Sequence, residues 1–244
     1  MIELTPEHLE RIVQQIYRKL GLHFDDNKAY FLQKRIEKRM GALGLEDPQQ
    51  YVFLLNYTDQ DGSEMQALAN LITTNETYMF REYDQLQAFA NHCLPEVLSA
   101  KQDRGDHTLR IWSAGCSSGE EPYTLAMILQ EIFPQGHAWN CQIIGTDIDE
   151  NMLRHAAAAH YGSRSVAEVP DEFREKYLIA AGDRYTVRAR TTALVELRHL
   201  NLHDRMAMRL MRNFDFIFCR NVLIYFDDLS RRQVLDHFYN SLNP

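Results

Sequence analysis

The sequence predicts an α/β fold in which a parallel, doubly wound sheet follows an all-helical front end. Three observations predict it. First, Arg110-Ile111-Trp112-Ser113-Ala114 is a short apolar run that ends in a small-residue turn, Gly115-Cys116-Ser117-Ser118-Gly119. That turn leads into a helix with Leu125, Ile128, Leu129 and Ile132 at helical spacing. Second, Gln142-Ile143-Ile144-Gly145-Thr146-Asp147-Ile148-Asp149 reads as another strand, ending in acids. Third, Phe214–Val222 reads as a buried parallel strand with a polar end.

The chemistry of the first turn is selective. Glu120 and Glu121 fall in the first helical turn, with Pro122 close to N1, where its missing N–H costs nothing. The turn has no Lys-Ser/Thr pair, and its two glycines do not fit a G-x-G-x-x-G dinucleotide pattern. Two acids stand where a phosphate would need bare N–H groups. The turn suits a ligand with positive charge and no phosphate, such as S-adenosylmethionine; the alternative is an ordinary αβ turn with solvated glutamates. The second strand favours an adenosine-type ligand, because an acid at that strand end accepts hydrogen bonds from ribose hydroxyls. Asp147, first after the apolar run, is the candidate. Asp149 is expected to cap the helix Glu150–Ala158.

Composition narrows the class. The 244 residues suit one or two domains, and 45% hydrophobic content is ample for a core. A formal charge of −8 argues against a nucleic-acid or anionic-membrane binder. No apolar run reaches the length of a membrane span, and the acidic, polar start is not a signal peptide. Cys93, Cys116, Cys141 and Cys219 are scattered, which fits reduced thiols of a cytoplasmic protein. The histidines lack metal-ligand spacing, so no metal is expected.

Residues 5 to about 72 read as all-helical. Thr5 is the expected cap of a helix with Pro6 at N1, closed by Gly21. The next helix, about Asn27 to Leu43, turns Leu32, Ile36, Met40 and Leu43 inward. Arg35 and Arg39 flank that stripe while Lys34 and Lys38 point away. With Lys28 these make one strongly basic helix in an acidic protein, either a solvated face or a docking surface for an acidic helix. Shorter helices are expected at Pro48–Tyr57 and Ser63–Asn70. A polar segment, Leu71–Glu82, follows at a place where ligand clefts tend to form. Tyr83–Leu98 is again helical. Tyr161–Arg174 reads as loop and short helix, and Lys176–Arg190 as a hairpin. Val195–Leu202 reads as a strand, and about Asp228–Leu242 as the last helix.

Four stretches resemble the chemotaxis receptor methyltransferases, the CheR family. They are Thr74-Asn75-Glu76-Thr77-Tyr78-Met79-Phe80-Arg81-Glu82, Ser113–Tyr123, Asp147-Ile148-Asp149, and Phe218-Cys219-Arg220-Asn221-Val222-Leu223-Ile224-Tyr225-Phe226. The resemblance covers nearly the whole chain, in order. It implies a Rossmann-like S-adenosylmethionine-dependent methyltransferase sheet with an N-terminal all-α domain and a small antiparallel β-subdomain. The implied division is a helical domain at 1–72, a linker contributing to the cofactor cleft at 73–90, and the α/β domain at 91–244 with its insert at about 176–192.

The implied activity is methyl transfer from S-adenosylmethionine to glutamate side chains of chemoreceptors, leaving S-adenosylhomocysteine and glutamyl methyl esters. Asn75, Thr77 and Arg81 are expected at the cofactor, an acid of the Glu120–Glu121 pair at its methionine part, and Asp147 at its ribose. Asn201-Leu202 is expected by the adenine, Arg220-Asn221 at the mouth of the fourth strand, and Tyr225 beside the transferred methyl. Tyr225 and Arg81 are given positional roles in catalysis. Capping for Asn75 and Thr77, and packing for Tyr225, are the plainer alternatives. Lys34, Arg35, Lys38 and Arg39 are expected to hold the receptor's cytoplasmic helical bundle. A cytoplasmic monomer is expected, neither bound to nucleic acid nor inserted in a membrane. A small-molecule methyltransferase and a non-catalytic cofactor-binding module are the competing readings.

Two departures from the family pattern stand out. Members that bind a receptor's C-terminal pentapeptide carry a longer, glycine-rich loop in the small β-subdomain. Here the loop is Ala180-Ala181-Gly182-Asp183-Arg184, so independence from that tether is expected. The sequence also stops at Pro244, before the strands that complete such a sheet. The expectation is therefore an unpaired edge at Phe214–Val222 and a truncated chain, or pairing by another chain.

Overall fold

The computed structural model describes residues 4–133 and 138–244. The helical front end runs through α1 (Pro6–Leu20), α2 (Ala29–Leu43), α3 (Pro48–Phe53) and α4 (Ser63–Ile72). Next come α5 (Tyr83–Ala88), α6 (Leu94–Gln102), β1 (Thr108–Ala114), α7 (Glu120–Ile132), β2 (Asn140–Asp147) and α8 (Glu150–Ala158). They are followed by β3 (His160–Gly162), α9 (Asp171–Tyr177), β4 (Leu178–Ala181), β5 (Arg184–Val187) and α10 (Ala189–Thr192). The path closes with β6 (Val195–His199), α11 (Arg205–Met208), β7 (Phe216–Phe218) and α12 (Asp228–Ser241). Among the described residues no helix is long and apolar enough to cross a membrane.

The chain forms two compact units. One comprises Met1–Thr74, Leu200–Leu210 and Asn221–Tyr239; the other comprises Asn75–His199, Met211–Arg220 and Asn240–Pro244.

In the first unit, α1 starts as its sequence dictates. The Thr5 side chain accepts the His8 N–H, and Gly21 ends the helix at φ +71°. Glycine is needed there twice over, since a Cβ on Gly21 would come within 2.6 Å of His203 Nδ1. Ile12, Ile16 and Leu20 of α1 and Leu32, Ile36 and Met40 of α2 are buried. Leu43, expected among the inward residues, is instead exposed, because it is the last residue of its helix. The expected helix to Tyr57 ends at Phe53 and widens into a π-turn over Leu54–Thr58.

In the second unit, four parallel strands lie in the order β6-β2-β1-β7, and a second, antiparallel sheet runs β3-β5-β4. Trp112 on β1 is fully buried, and its Nε1–H donates to Thr146 Oγ1 of β2 at 2.9 Å. Asp215 anchors β7: its carboxylate accepts from Lys101 Nζ, from Asn243 Nδ2 and from the Arg110 main-chain N–H. The expected hairpin is β4 and β5, turning at Gly182 with φ +65°. The structure corrects two expectations. Tyr161 and Gly162, read as the start of a loop, belong with His160 to β3 and pair with β5. Of the long buried strand expected over Phe214–Val222 only Phe216–Phe218 form a strand, half-buried and paired with β1 alone among the described residues, while Phe214 bridges to Leu242.

Candidate functional site

The turn after β1 is held open from both sides in the second unit. The N–H groups of Gly115 and Cys116 donate to Thr146 O at 2.8 and 2.9 Å, and the Ser117 N–H donates to Asp147 Oδ2 at 2.7 Å. Gly115, Ser117 and Gly119 all have positive φ, at +75°, +49° and +93°. Gly119 is a steric requirement, because a Cβ there would come within 2.8 Å of Ala156 Cβ. The small residues of this turn therefore let β1, β2 and the start of α7 meet closely at the carboxyl edge of the sheet.

Four carboxylates gather there. Asp147 also accepts the Asp149 N–H, through Oδ1 at 2.8 Å. Asp149 caps α8, accepting from Asn151 N and Met152 N, and its Oδ2 accepts from Asn75 Nδ2 at 2.8 Å. Glu121 accepts from Ser113 Oγ at 2.7 Å and pairs with Arg220 Nε at 2.6 Å. Glu120, 2% exposed, accepts from the hydroxyls of Ser118 at 2.7 Å and Ser165 at 3.1 Å. Burial pushes the Glu120 and Asp147 carboxyls above the usual carboxylate range, and backbone and hydroxyl donors pull against it. Burial also pushes the Cys116 thiol well up, with Asp147 adding to the effect.

The segment after Thr74 is folded back on itself. Arg81 Nη1 donates to Glu76 O at 2.8 Å, and its guanidinium lies 5.7 Å from the Tyr78 ring centroid. Phe80 and Glu82 have positive φ, and the Phe80 N–H donates to Thr124 Oγ1 of α7. Arg220 completes the frame, donating from Nη1 to Arg81 O at 2.6 Å. The second unit thus brings together Asn75, Arg81, Glu120, Glu121, Asp147 and Arg220; Thr77, in the same segment, is half-buried.

The remaining candidates lie in the first unit. Asn201 donates to Lys19 O at 2.8 Å and accepts the His203 N–H, so its amide holds a turn; Leu202 is buried. Asn221 has φ +59°. Tyr225 ends a short 3₁₀ turn, its carbonyl accepts the His23 N–H, and Lys28 Nζ lies 5.7 Å from its ring centroid. On α2, Lys38 is exposed and Lys34 pairs with Glu37 at 2.9 Å. Arg35 donates to Leu71 O and stacks on Phe31. Arg39 is engaged bidentately by buried Glu64, at 2.9 and 2.6 Å.

Sequence comparison decides the family. The family model "CheR methyltransferase, SAM binding domain" matches residues 75–244, and "CheR methyltransferase, all-alpha domain" matches residues 7–73. The chain belongs to the CheR methyltransferase family.

Similar proteins include chemotaxis protein methyltransferase 2 of Vibrio cholerae, 36% identical over 100% of this chain and 83% of its own length. The chemotaxis protein methyltransferase of Borreliella burgdorferi is 31% identical over 99% of this chain and 85% of its own. That of Escherichia coli is 32% identical over 100% and 82%. S-adenosylmethionine is the cofactor of the CheR fold, and the residues present fit it. Among the described residues, Glu120 and Asp147 have no cationic partner, and Ser117 Oγ is buried without a hydrogen-bond partner. Such a turn accepts a cationic nucleoside with free hydroxyls and repels a phosphate. Ser113, Tyr161 and Ser165 were not singled out in the sequence, and Asp149 was singled out as a helix cap and not as a partner of Asn75. Ser113 and Asp149 lie inside the motifs, but no spacing marks Tyr161 or Ser165.

Proposed function

We propose that this CheR chain methylates glutamate side chains on the cytoplasmic helices of chemoreceptors, leaving glutamyl methyl esters. The observation that carries the cofactor part is the surplus of buried negative charge at the turn: three carboxylates, Glu120, Glu121 and Asp147, face one arginine. The acceptor part rests on the relatives, which are named chemotaxis protein methyltransferases. Bound S-adenosylmethionine supplies an electrophilic methyl group on a sulfonium. Of the acid pair, Glu120 carries the charge left open to the cationic part of the cofactor, because Glu121 is already paired with Arg220, which fixes it beside Ser113 at the tips of β1 and β7. Asp147 is proposed for the ribose, with Asn75, Thr77 and Arg81 lining the site from their segment. For Asn201, Leu202, Asn221 and Tyr225 the support is the motif alone.

The acceptor needs no general base. A glutamate carboxyl titrates near about 4.3 and is ionised at neutral pH. Bound S-adenosylmethionine would supply the methyl group to an oxygen of that carboxylate and keep the bonding pair on its sulfur, so no residue of this chain would need to move a proton. The residues therefore orient the reactants and exclude water, and the cancelling charges react faster in a drier site. The test is transfer of labelled methyl from S-adenosylmethionine to receptor-containing membranes. Base-labile label on the receptor supports the proposal; label only on soluble acids, or cofactor binding without transfer, refutes it.

Receptor docking is assigned to α2, with Lys38 and Lys34, the latter in an exposed pair with Glu37, as its surface charges. Replacing both with Ala is expected to raise the KM for receptor by about two-fold to thirty-fold, given ~0.2–1 kcal/mol per exposed ion pair. The effect should shrink in salt, and calorimetric cofactor affinity should stay unchanged. The Gly182-Asp183 turn between β4 and β5 supports tether independence. A receptor C-terminal pentapeptide is accordingly expected to bind more weakly than low micromolar in a titration with the full chain.

A further inference from the structure

The short stretch that leaves β3 touches both the cofactor turn and the 75–82 segment. The Tyr161 hydroxyl donates to Ser118 O at 2.7 Å and lies 3.0 Å from where a Cβ on Gly119 would stand. Arg164 pairs with Glu76 at 2.6 Å, on the surface. Ser165 reaches in two directions: its hydroxyl donates to Glu120 Oε1 at 3.1 Å, and its carbonyl accepts the Met79 N–H at 2.8 Å.

We propose that Ser165 is a positioning residue for methyl transfer, holding the Glu120 carboxylate ionised and fixed at the turn while its main chain fixes the 75–82 segment. The proposal rests on the reading of this turn as the S-adenosylmethionine site. Glu121 is offset by Arg220, so the net negative charge offered to a cation falls on Glu120 and Asp147. Glu120 is buried, and burial favours its neutral form. The groups facing it are Ser118 and Cys116 of the turn, His155 of α8, Tyr161 of β3 and Ser165; none is a permanent cation. The hydroxyls of Ser118 and Ser165 are the side-chain donors that, with the Glu120 main-chain N–H and nearby His155, keep Glu120 charged. Ser118 lies two residues away, whereas Ser165 is brought in from across the chain.

The sign follows. Removing one donor to the ionised form makes the carboxyl harder to ionise, so affinity for the cation is lost at a higher pH as the solution is acidified. Ser165→Ala removes the hydroxyl and keeps the carbonyl that holds Met79, whereas Ser165→Thr keeps both. The experiment is calorimetry of S-adenosylmethionine with the full chain, without receptor, from pH 5 to 8. Ser165→Ala is expected to bind roughly ten-fold more weakly near neutrality, with its acid limb displaced to higher pH. Ser165→Thr should follow the parent protein, and Glu120→Gln should bind weakly and keep only the acid limb that Asp147 supplies, which Ser165→Ala added to it should not displace. A Ser165→Ala profile superimposable on the parent's overturns the proposal. So does a loss that is equal at every pH and shared by Ser165→Thr. Absence of any binding by the parent overturns the site reading as well, which separates the two failures.

Discussion

Arg39→Ala is expected to unfold at a distinctly lower urea concentration than the parent chain, with a loss of about 3–5 kcal/mol. Arg39 sits on the basic helix α2, where its type and spacing suggest a surface charge. Its guanidinium is instead locked on Glu64, through Nε at 2.9 Å and Nη2 at 2.6 Å. Glu64 is 5% exposed and also accepts the Tyr51 hydroxyl at 2.7 Å. Burial, with Glu64 beside it, pushes the Tyr51 hydroxyl far above its ordinary range, so it stays a neutral donor. Removing Arg39 leaves a carboxylate in the core of the first unit with one neutral partner, and that desolvation is the source of the loss. Lys38→Ala, on the same helix but exposed, should change stability by less than about 0.5 kcal/mol. The double variant Arg39→Met/Glu64→Gln should recover much of the loss, since no unpaired charge remains. Were Arg39→Ala as stable as Lys38→Ala, the lock would be unimportant and Arg39 would return to the docking surface. Receptor KM values for Arg39 variants are meaningful only after this stability has been measured.

The difference between Arg39 and Lys38 shows what could be read in the chain beforehand. A helical wheel places Arg39 beside the apolar stripe, which holds, but its partner lies 25 residues away on α4, and no local pattern points to it. Local chemistry read well. The Thr5 cap, the Gly21 stop and the Asp149 cap depend on atoms within a few residues, and each has the predicted form. The strand–turn–helix around Gly115 read well for the same reason, since a positive φ at Gly115 and Gly119 is a property of the turn itself. Elements whose existence depends on a distant partner did not. β3 is three residues, too short for its exposed–buried–exposed alternation to mark it, and it becomes a strand because β5 lies beside it. The apolar run from Phe214 is long enough for a full strand, yet only Phe216–Phe218 pair with β1, and Phe214 bridges instead to Leu242, 28 residues on. In the site, the acids were visible through the motif. The frame around them, Ser165 on Glu120 and Arg220 on Glu121, spans 45 and 99 residues of sequence and could not be seen.

That frame makes Arg220 the most consequential single position in the second unit. Arg220→Gln is expected to lower kcat/KM for methyl transfer about a hundred-fold, on the order expected when reacting groups are misplaced by an ångström. Its Nε binds Glu121 Oε2 and its Nη1 binds Arg81 O, both at 2.6 Å, with side-chain exposures of 13% for Arg220 and 11% for Glu121. One guanidinium therefore fixes both an acid of the turn and the main chain of the 75–82 segment. Glutamine cannot span both, and it leaves Glu121 charged with only the Ser113 hydroxyl. Arg220→Lys keeps the charge but replaces a planar fork by a point donor, so it should restore stability more fully than turnover. The double variant Arg220→Gln/Glu121→Gln removes the buried charge and should regain stability without regaining activity. That split, read from urea midpoints against kcat/KM, separates positioning from folding. An Arg220→Gln enzyme with normal turnover and a normal urea midpoint would show that the acids of the turn hold the cofactor without the frame, and the assignment of Glu121 and Arg81 to one site would lose its physical basis.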